Sequence, residues 1–424
     1  MRPRRYQLRK EAVAIIERGH PWIFRDQLSS AAHVFADGDW LRLVDGANRV
    51  VGYGIFETTG AIAIRVLRLG AEPPDAAWLR GKLHLALARR GLGALRTAGP
   101  LLGLSPAAVE QLANGDLDAV PAQDEPPLAT RTDGMRLVHG ESDGIPAVVV
   151  DRYGDTLVVQ SYSRGADALA RLAASRLARE LAIPNVLWRP AHRRAGAARV
   201  ARDATSPRVL CGAPPAIARF TEDGVPFAVD LASGQKSGTF LDLRGLRRAI
   251  ATAPLTGARV LNLFAYSGML GRVSELAGAT EIVQVDASEA ALAFAAAHHV
   301  EDRAKHTFVT ANVFEWLPAL PADEMFDLVI VDPPSMTSSK TQVPAVLAGY
   351  RKLYRSAAPH VRPGGVLVAA CCTSRIEPGR FHKTVADTLG GPFVRERVIP
   401  PEPDHPVGFP QANYLKIGWW RRRT

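Results

Sequence analysis

The sequence predicts an α/β protein whose C-terminal part is a doubly wound parallel sheet. A small β-rich unit and a central strand-strand-helix-strand-strand unit precede it. Three observations predict this. Residues 259–288 (RVLNLFAYSGMLGRVSELAGATEIVQVDAS) read as strand, Gly-containing turn, helix, strand and terminal acid, the unit of a nucleotide-type site. Two later apolar runs, 326–331 and 366–370, end in Asp332 and in Cys371-Cys372. The first 230 or so residues are different, with short apolar stretches separated by turn signals.

Composition bounds the classes. The chain has 424 residues, 47% hydrophobic and 22% charged, as expected for a globular protein of two or three domains. Lys plus Arg outnumber Asp plus Glu by 52 to 42, a net charge of +10 that favours a polyanionic partner. The cysteines Cys211, Cys371 and Cys372 form no C-x-x-C pair, which argues against a disulfide framework and a metal site. The basic N-terminus MRPRRYQLRK leads into no apolar signal region, and no apolar run has membrane-spanning length. The expectation is a cytoplasmic protein without a membrane partner or a metal.

In chain order, residues 1–72 read as the β-rich unit, with strands at 40–44 and 61–67 bounded by Asp45-Gly46 and Thr59-Gly60. The cluster Gly19-His20-Pro21-Trp22-Ile23-Phe24 is flanked by arginines. Aromatics among arginines suit base stacking and phosphate contact, which nominates Arg4, Arg5, Arg18, Trp22 and Arg25 for RNA binding. Core packing is the equal alternative for Trp22. Residues 73–130 carry a helix at 78–90 and then a linker or insert ending in AVPAQDEPP. Residues 131–232 form the central unit. Strands 148–153 and 156–161 flank Gly154-Asp155, a helix covers 166–181, and strands follow at 185–188 and 225–229. Its polar run Arg136, His139, Glu141 and Asp143 suits a cleft lining or an ion-paired loop brace equally.

Residues 233–424 form the last unit. It opens on GQKSGTFLDLR, which lacks the spacing of a nucleoside-triphosphate loop. Ser237, Phe240 and Arg244 are placed to close over a small molecule, Arg244 through a bidentate carboxylate contact, although a solvated helix residue fits Arg244 equally. A helix at 292–298 and a strand at 307–309 lead to Asn312-Val313. Strand 326–331 runs into Asp332-Pro333-Pro334, where the prolines stop the strand and aim the carboxylate out of its carboxyl edge. A helix at 343–358 precedes the strand at 366–370. Gly268, Asp286, Asp332 and Cys372 therefore converge on one edge, where doubly wound sheets bind ligands. A thiol beside a carboxylate, next to a ribose-binding acid, suits nucleophilic addition to a base while a nucleoside-type cofactor sits adjacent. Two small buried residues at a strand end are the competing reading of the cysteines.

The motifs LNLFAYSGML, VDAS, FDLVIVDPPSM and GGVLVAACCTS resemble those of class I S-adenosylmethionine-dependent methyltransferases. More narrowly, GHPWIF, RVLRL, RLVHGESDGIPAVVVDRYGD, FAVDLASGQKSGTFLDLR, DHPVGFP and NYLKIG resemble the bacterial 23S rRNA cytosine-5 methyltransferases, over nearly the whole chain except 91–130. The resemblance implies a PUA domain first, a strand-strand-helix-strand-strand domain second and a Rossmann-like catalytic domain last. It implies S-adenosylmethionine as cofactor and RNA as partner, 23S rRNA either free or in a pre-subunit particle. It implies Cys372 as nucleophile and Asp332 as motif acid. The cofactor would be held by Phe264, Ala265, Tyr266 and Gly268 on the methionine side. Asp286, Ala287 and Ser288 would lie at the ribose, and Asn312, Val313 and Asp332 beyond it. Asn312 stands where that family shows an aspartate facing the adenine amine, and Asn262 also replaces an aspartate. The family's S-C-S reads Cys371-Cys372-Thr373 here, and spacing from Gly364-Gly365 favours Cys372. An RNA guanine or adenine N-methyltransferase using D-P-P, and a non-catalytic RNA-binding assembly factor, remain as alternatives. The oligomeric state, a homodimer included, stays open.

Overall fold

The computed structural model describes residues 3–29, 32, 34–92, 132–191, 207–232, 237–336 and 340–424. The expected linker after residue 92, and Gly234 to Lys236, lie outside them. The chain divides into two compact units, Met1–Leu241 with Pro403–Phe409, and Asp242–Glu402 with Pro410–Thr424. Ser237 and Phe240 thus belong to the first unit. No helix among the described residues is long and apolar enough to cross a membrane.

The first unit begins with a five-stranded sheet built from Arg4–Gln7, Trp22–Phe24, Trp40–Val44, Val50–Phe56 and Ile62–Leu69. The two expected strands are present. Val50–Phe56 was not expected, because Gly52 and Gly54 interrupt its apolar pattern; a Cβ on Gly54 would stand 2.6 Å from Ile64 Cγ2. Its core joins Ile16, Ile23, Leu41, Leu43 and Ile64. The predicted helix follows as Ala76–Arg89.

The central sheet also has five strands, Gly134–His139, Val148–Tyr153, Thr156–Ser161, Asn185–Pro190 and Arg208–Cys211. The Gly154-Asp155 hairpin forms, and helix Asp167–Glu180 crosses over to a parallel strand. The expected strand-strand-helix-strand-strand order needs two corrections, the first being that Gly134–His139, a strand not expected, pairs with Val148–Tyr153 and puts three strands before the helix. The second is that the last strand is Arg208–Cys211, whereas Val225–Asp230 pairs with Ile217–Glu222 in a separate two-stranded ribbon. Residues 217–222 alternate exposed and buried side chains, so the short apolar run after them has an adjacent partner and needs no place in the larger sheet.

The polar run of this unit is a brace. Arg136 clasps Asp151 through Nε and Nη2 at 2.7 and 3.0 Å. The buried Asp143 accepts from Arg89 at 2.8 Å, from Arg90 at 2.8 and 3.0 Å, and from the His139 amide at 2.7 Å. Glu141 accepts from Arg65 and from Trp22 Nε1.

In the second unit a seven-stranded sheet is made of β1 (Arg259–Leu263), β2 (Glu281–Asp286), β3 (His306–Thr310), β4 (Phe326–Val331), β5 (Val361–Cys372), β6 (Phe393–Ile399) and β7 (Leu415–Arg422). Their order is β3-β2-β1-β4-β5-β7-β6. The first five are mutually parallel, and β7 runs antiparallel between β5 and β6. Strands covered on both faces read as unbroken apolar runs, and β4, buried except at Asp327, is the example. Helix Pro378–Leu389 and strands β6 and β7 were not expected, since β6 exposes five of its seven residues and its sequence FVRERVI carries no buried-strand signal.

The Asp143 brace has a pH signature. Burial pushes this carboxyl up, but Arg90 and Arg89 outweigh burial and hold it down at about 2, against 3.8 ordinarily. A lowered folded-state value stabilises above pH 4 and is lost as pH falls toward 2, on the order of 2 kcal/mol. Asp143→Asn is expected to lower the unfolding free energy at pH 7 by about 3 kcal/mol, because it leaves buried arginine charge unpaired. Thermal melts across pH 7 to 2 should show the gap to wild type closing only below pH 4; a gap independent of pH refutes the assignment.

Candidate functional site at the carboxyl edge of the parallel sheet

The turn after β1 departs from ordinary backbone geometry. Phe264, Tyr266 and Gly268 have φ of 61°, 47° and 75°, so two non-glycine residues occupy the left-handed region. Such strain persists only where the surroundings impose it. Here the Tyr266 amide donates to Asp286 Oδ2 at 2.8 Å, and Ala265 donates to the Val285 carbonyl at 3.0 Å. The buried His299 ring contacts the Ser267 carbonyl at 2.5 Å. A Cβ on Gly268 would stand 2.6 Å from Ala295 Cβ, and one on Gly271 2.5 Å from Gln284 Cδ. Helix Met269–Leu276 can therefore lie close over β2 only with glycine at both places.

Beneath the turn lies a buried polar ladder. Asn262 Nδ2 donates to Gln284 Oε1 at 3.3 Å, Gln284 Nε2 faces His306 Nδ1 at 3.0 Å, and His306 Nε2 faces Glu275 Oε2 at 3.1 Å. With Gln284 donating, the histidine carries its proton on Nε2 and passes it toward Glu275. Asn262 Oδ1 is buried without a partner. The ladder leaves little mark in the sequence, since Gln284 and His306 sit inside or beside apolar runs; one polar residue repeated at matching depth in adjacent strands is the available signal.

Asp286 ends β2 half-buried. Its Oδ2 accepts the Tyr266 amide, and its Oδ1 accepts the Ser288 amide at 2.8 Å. Each oxygen keeps a lone pair, which is the acceptor set that two vicinal ribose hydroxyls, as donors, need. Ala287 follows it, and Ser288 caps helix Glu289–His298, its Oγ accepting from Ala291 at 3.2 Å. Asn312 is the cap of helix Val313–Trp316, accepting from the Phe314 amide at 3.1 Å and donating to Glu315 at 2.7 Å. Val313 is buried, and the Phe264 ring meets Phe314 edge-on at 5.6 Å.

Asp332 follows β4 directly, half-buried. The two thiols take opposite faces, as alternation along a strand requires. Cys371 is fully buried in the apolar core beside Tyr350, Tyr354 and Phe381. Cys372 is half-buried, with Sγ 3.7 Å from the Pro333 carbonyl. Burial and then the charges of Cys371, Asp332 and Cys372 push the Tyr354 hydroxyl far up, so it stays protonated and donates to the Ala370 carbonyl at 2.9 Å.

Lys416 was missed altogether. It stands opposite Cys371 in the β5/β7 ladder, almost fully buried. Its ammonium donates to the Thr373 carbonyl, just past Cys372, and to the Tyr414 carbonyl at 2.9 Å. Burial lowers it below the usual lysine range, opposed by the charges of Cys371, Cys372 and Glu377. A lysine within a strand otherwise reads as a solvated position.

Other predicted residues are placed elsewhere. Arg244 is buried and pairs with Glu402, Nε to Oε2 at 3.1 Å, so the carboxylate it faces is the protein's own. In the first unit Ser237 is buried, its Oγ bonded to Asp151 and 3.1 Å from the Tyr153 hydroxyl, and Phe240 is half-buried. The five RNA candidates lie in the N-terminal β sheet and its loops, and each contacts its own unit. Arg4 binds Asp39 at 2.5 Å, Arg5 binds Asn48 at 2.8 Å, and Arg18 binds the Ala14 carbonyl at 2.9 Å. Arg25 clasps the carbonyls of Glu57 and Gly60 at 2.7 and 2.8 Å. Trp22 donates to Glu141 at 2.8 Å and packs on Phe409 at 4.7 Å.

Comparison with known proteins adds to this geometry. Residues 167–416 match the family model described as S-adenosylmethionine-dependent methyltransferase, and residues 7–69 match a PUA-like domain. A "Ribosomal RNA large subunit methyltransferase" of Deinococcus radiodurans is 31% identical, over 97% of this chain and 96% of that protein. A "Ribosomal RNA large subunit methyltransferase I" of Serratia proteamaculans is 34% identical over 67% of this chain and 73% of its own. Among solved structures, a SAM-dependent methyltransferase from Streptococcus mutans has the same fold, with a TM-score of 0.76, 18% identity, and coverage of 99% of this chain and 100% of the other. A methyltransferase solved in complex with SAH superposes with a TM-score of 0.75 at 18% identity, covering 99% of this chain and 100% of its own.

Asp286→Asn tests the turn. One oxygen becomes an NH2 group that must face either the Tyr266 or the Ser288 amide, donor against donor. The expected result is at least tenfold weaker S-adenosylhomocysteine binding by calorimetry, with stability reduced by about 1–3 kcal/mol. Unchanged affinity would remove Asp286 from the site.

Proposed function

The chain belongs to the S-adenosylmethionine-dependent methyltransferase family, and from that premise we propose that it methylates C5 of a cytidine in large-subunit ribosomal RNA. The observation that carries the cytosine-C5 reading is the half-exposed Cys372 beside the Asp332-Pro333 turn, with its neighbour Cys371 sequestered in the core. The names of the relatives support ribosomal RNA as substrate.

The residues present fit the cofactor. Asp286 offers two free lone pairs, the turn from Phe264 to Gly268 brings backbone close, and Asn312 keeps a side-chain oxygen lone pair beyond its capping bond. When bound, S-adenosylmethionine supplies an electrophilic methyl group. The protein's task is to make C5 of cytosine a carbon able to accept it.

The Cys372 thiolate adds to C6, forming the S–C6 bond. The C5=C6 electrons move into the ring, and negative charge builds at N3. Asp332, in its acid form, gives a proton to N3 or holds a hydrogen bond there, leaving C5 enamine-like. Once C5 carries the methyl group, loss of its proton to a base re-forms C5=C6 and expels the thiolate, and any proton given to N3 returns to the Asp332 carboxylate. The target cytidine has to be unpaired or flipped to expose both carbons.

RNA carrying 5-fluorocytidine has no C5 proton to lose, so the adduct should persist. Wild-type protein should give a band stable to SDS, and Cys372→Ala none. Trapping retained in Cys372→Ala but abolished in Cys371→Ala would reassign the nucleophile.

Lys416 is the positioning residue of this scheme. A buried cation beside a thiol favours the thiolate. Peptide-resolved iodoacetamide labelling should place the Cys372 reaction midpoint about one pH unit higher in Lys416→Met than in wild type. Lys416→Gln, which keeps a donor for the Thr373 carbonyl without the charge, should shift it equally. A profile unmoved in both variants rules this role out.

A further inference from the structure

The arginines offered by the sequence for RNA contact bond within their own fold, which leaves open where the first unit meets a polyanion. A cleft of about 540 Å³ lies in that unit, walled on one side by Gly19 to Pro21 and Val66 to Leu69, and on the other by helix Ala76–Arg89 and Glu141 to Pro146. Lys82 of the helix lines it, half-buried. Its ammonium has no hydrogen bond or ion pair among the described residues.

The carboxylates on these walls are already engaged. Glu72 pairs with Arg68, Glu141 with Arg65 and Trp22, and Asp75 caps the helix by accepting the Trp78 amide at 2.7 Å. The lysine is nevertheless held in place. A Cβ on Gly144 would stand 3.1 Å from each of Lys82 Cδ, Cε and Nζ, so the stem lies against bare backbone. Burial lowers the ammonium below the usual lysine range, Arg89 and Arg68 push the same way, and Asp143 opposes them. A cation fixed by packing, partly desolvated and lacking an anion is stabilised when one arrives. Trp78, four residues earlier on the same helical face, adds its ring to the wall.

We propose that this cleft docks the backbone of the RNA substrate, with a phosphate against Lys82 and the Trp78 ring as its apolar floor. The inference rests on RNA being the substrate. One lysine is too little to retain a small free anion, whereas a polymer brings its other phosphates to other contacts, and each neutralised phosphate adds to affinity and to salt dependence. The contact positions the chain without reading its sequence.

Filter binding of the full-length protein to transcribed 23S rRNA between 50 and 200 mM KCl tests it. Lys82→Met keeps the stem over Gly144 and removes the charge. It should weaken binding about fivefold at 100 mM KCl and make the log–log salt slope shallower by about one. Lys82→Arg should restore both, while melting temperature and S-adenosylhomocysteine affinity stay at wild-type values in each variant. Equal affinity and slope in Lys82→Met and wild type would overturn the cleft and leave the RNA reading standing. Wild-type protein that fails to bind the rRNA at all would overturn the RNA reading itself. An inorganic-phosphate arm separates the sources: 10 mM phosphate that raises the wild-type melting temperature but not that of Lys82→Met marks a site for a free anion, against the proposal.

Discussion

The parallel register at the centre of the seven-stranded sheet sets the height and facing of each reactive group in the second unit. Leu263 of β1 pairs with Val285 on one side and with Val331 on the other, and Val331 pairs in turn with Ala369. Leu263, Val285 and Val331 therefore stand at one level, β1 and β4 stop there and β2 runs one residue further, so that Phe264, Asp286 and Asp332, the next residue of each, emerge at a common edge. β5 continues three residues beyond its pairing with Val331, so Cys372 reaches over that edge. The same ladder decides parity. A slip of one residue would put Cys372 in the core and Cys371 outside. The antiparallel ladder with β7, which sets Cys371 opposite Lys416 and Cys372 opposite Leu415, makes that slip expensive by burying Lys416 where its carbonyl partners are.

What the register cannot supply is the shape of the turn after β1. Left-handed φ at Phe264 and Tyr266 costs of order 1–3 kcal/mol each. The turn is held from above by the Asp286 carboxylate and from below by His299 and the helix lying on Gln284. On the proposed reading the Asp286 side chain has two tasks, since it braces the turn with lone pairs directed at amides and keeps the others for a ligand. That reading couples binding and local structure through one carboxylate, so a substitution there is expected to change both together.

The C-terminal fold was legible because its central strands are covered on both faces. An apolar run of the right length bounded by Pro or Gly leaves few readings, and Phe326–Val331 matched its expected bounds. Strands at the rim were not legible. β6 faces solvent along most of its length, so burial leaves no mark on its sequence. The residues at the carboxyl edge were legible as strand ends, while their partners were not. Nothing in NYLKIG states that the lysine is buried, because its burial depends on the antiparallel insertion of β7. The charge pattern is less direct to read. Arginines around Trp22 have the composition of a nucleic-acid face, yet Arg25 caps three backbone carbonyls and Arg4 lies over Phe35 at 4.7 Å. A planar guanidinium with five donors is well suited to such internal bonding, so arginine count overstates the charge left for a partner.

Lysine behaves differently, and two of them carry the proposals made for the two units. An ammonium is a strongly hydrated point charge, so burying one without a carboxylate is costly and is tolerated where another charge offsets it. Among the described residues Lys416 donates to two carbonyls near two thiols, and Lys82, which lines a cleft, has no hydrogen bond or ion pair. On the proposed reading the missing anion is in each case one that exists only during function, a thiolate formed for attack or a phosphate brought by the substrate. Burial pushes both lysines below the usual range. The buried arginines differ, since Arg90 pairs with Asp143 and Arg244 with Glu402.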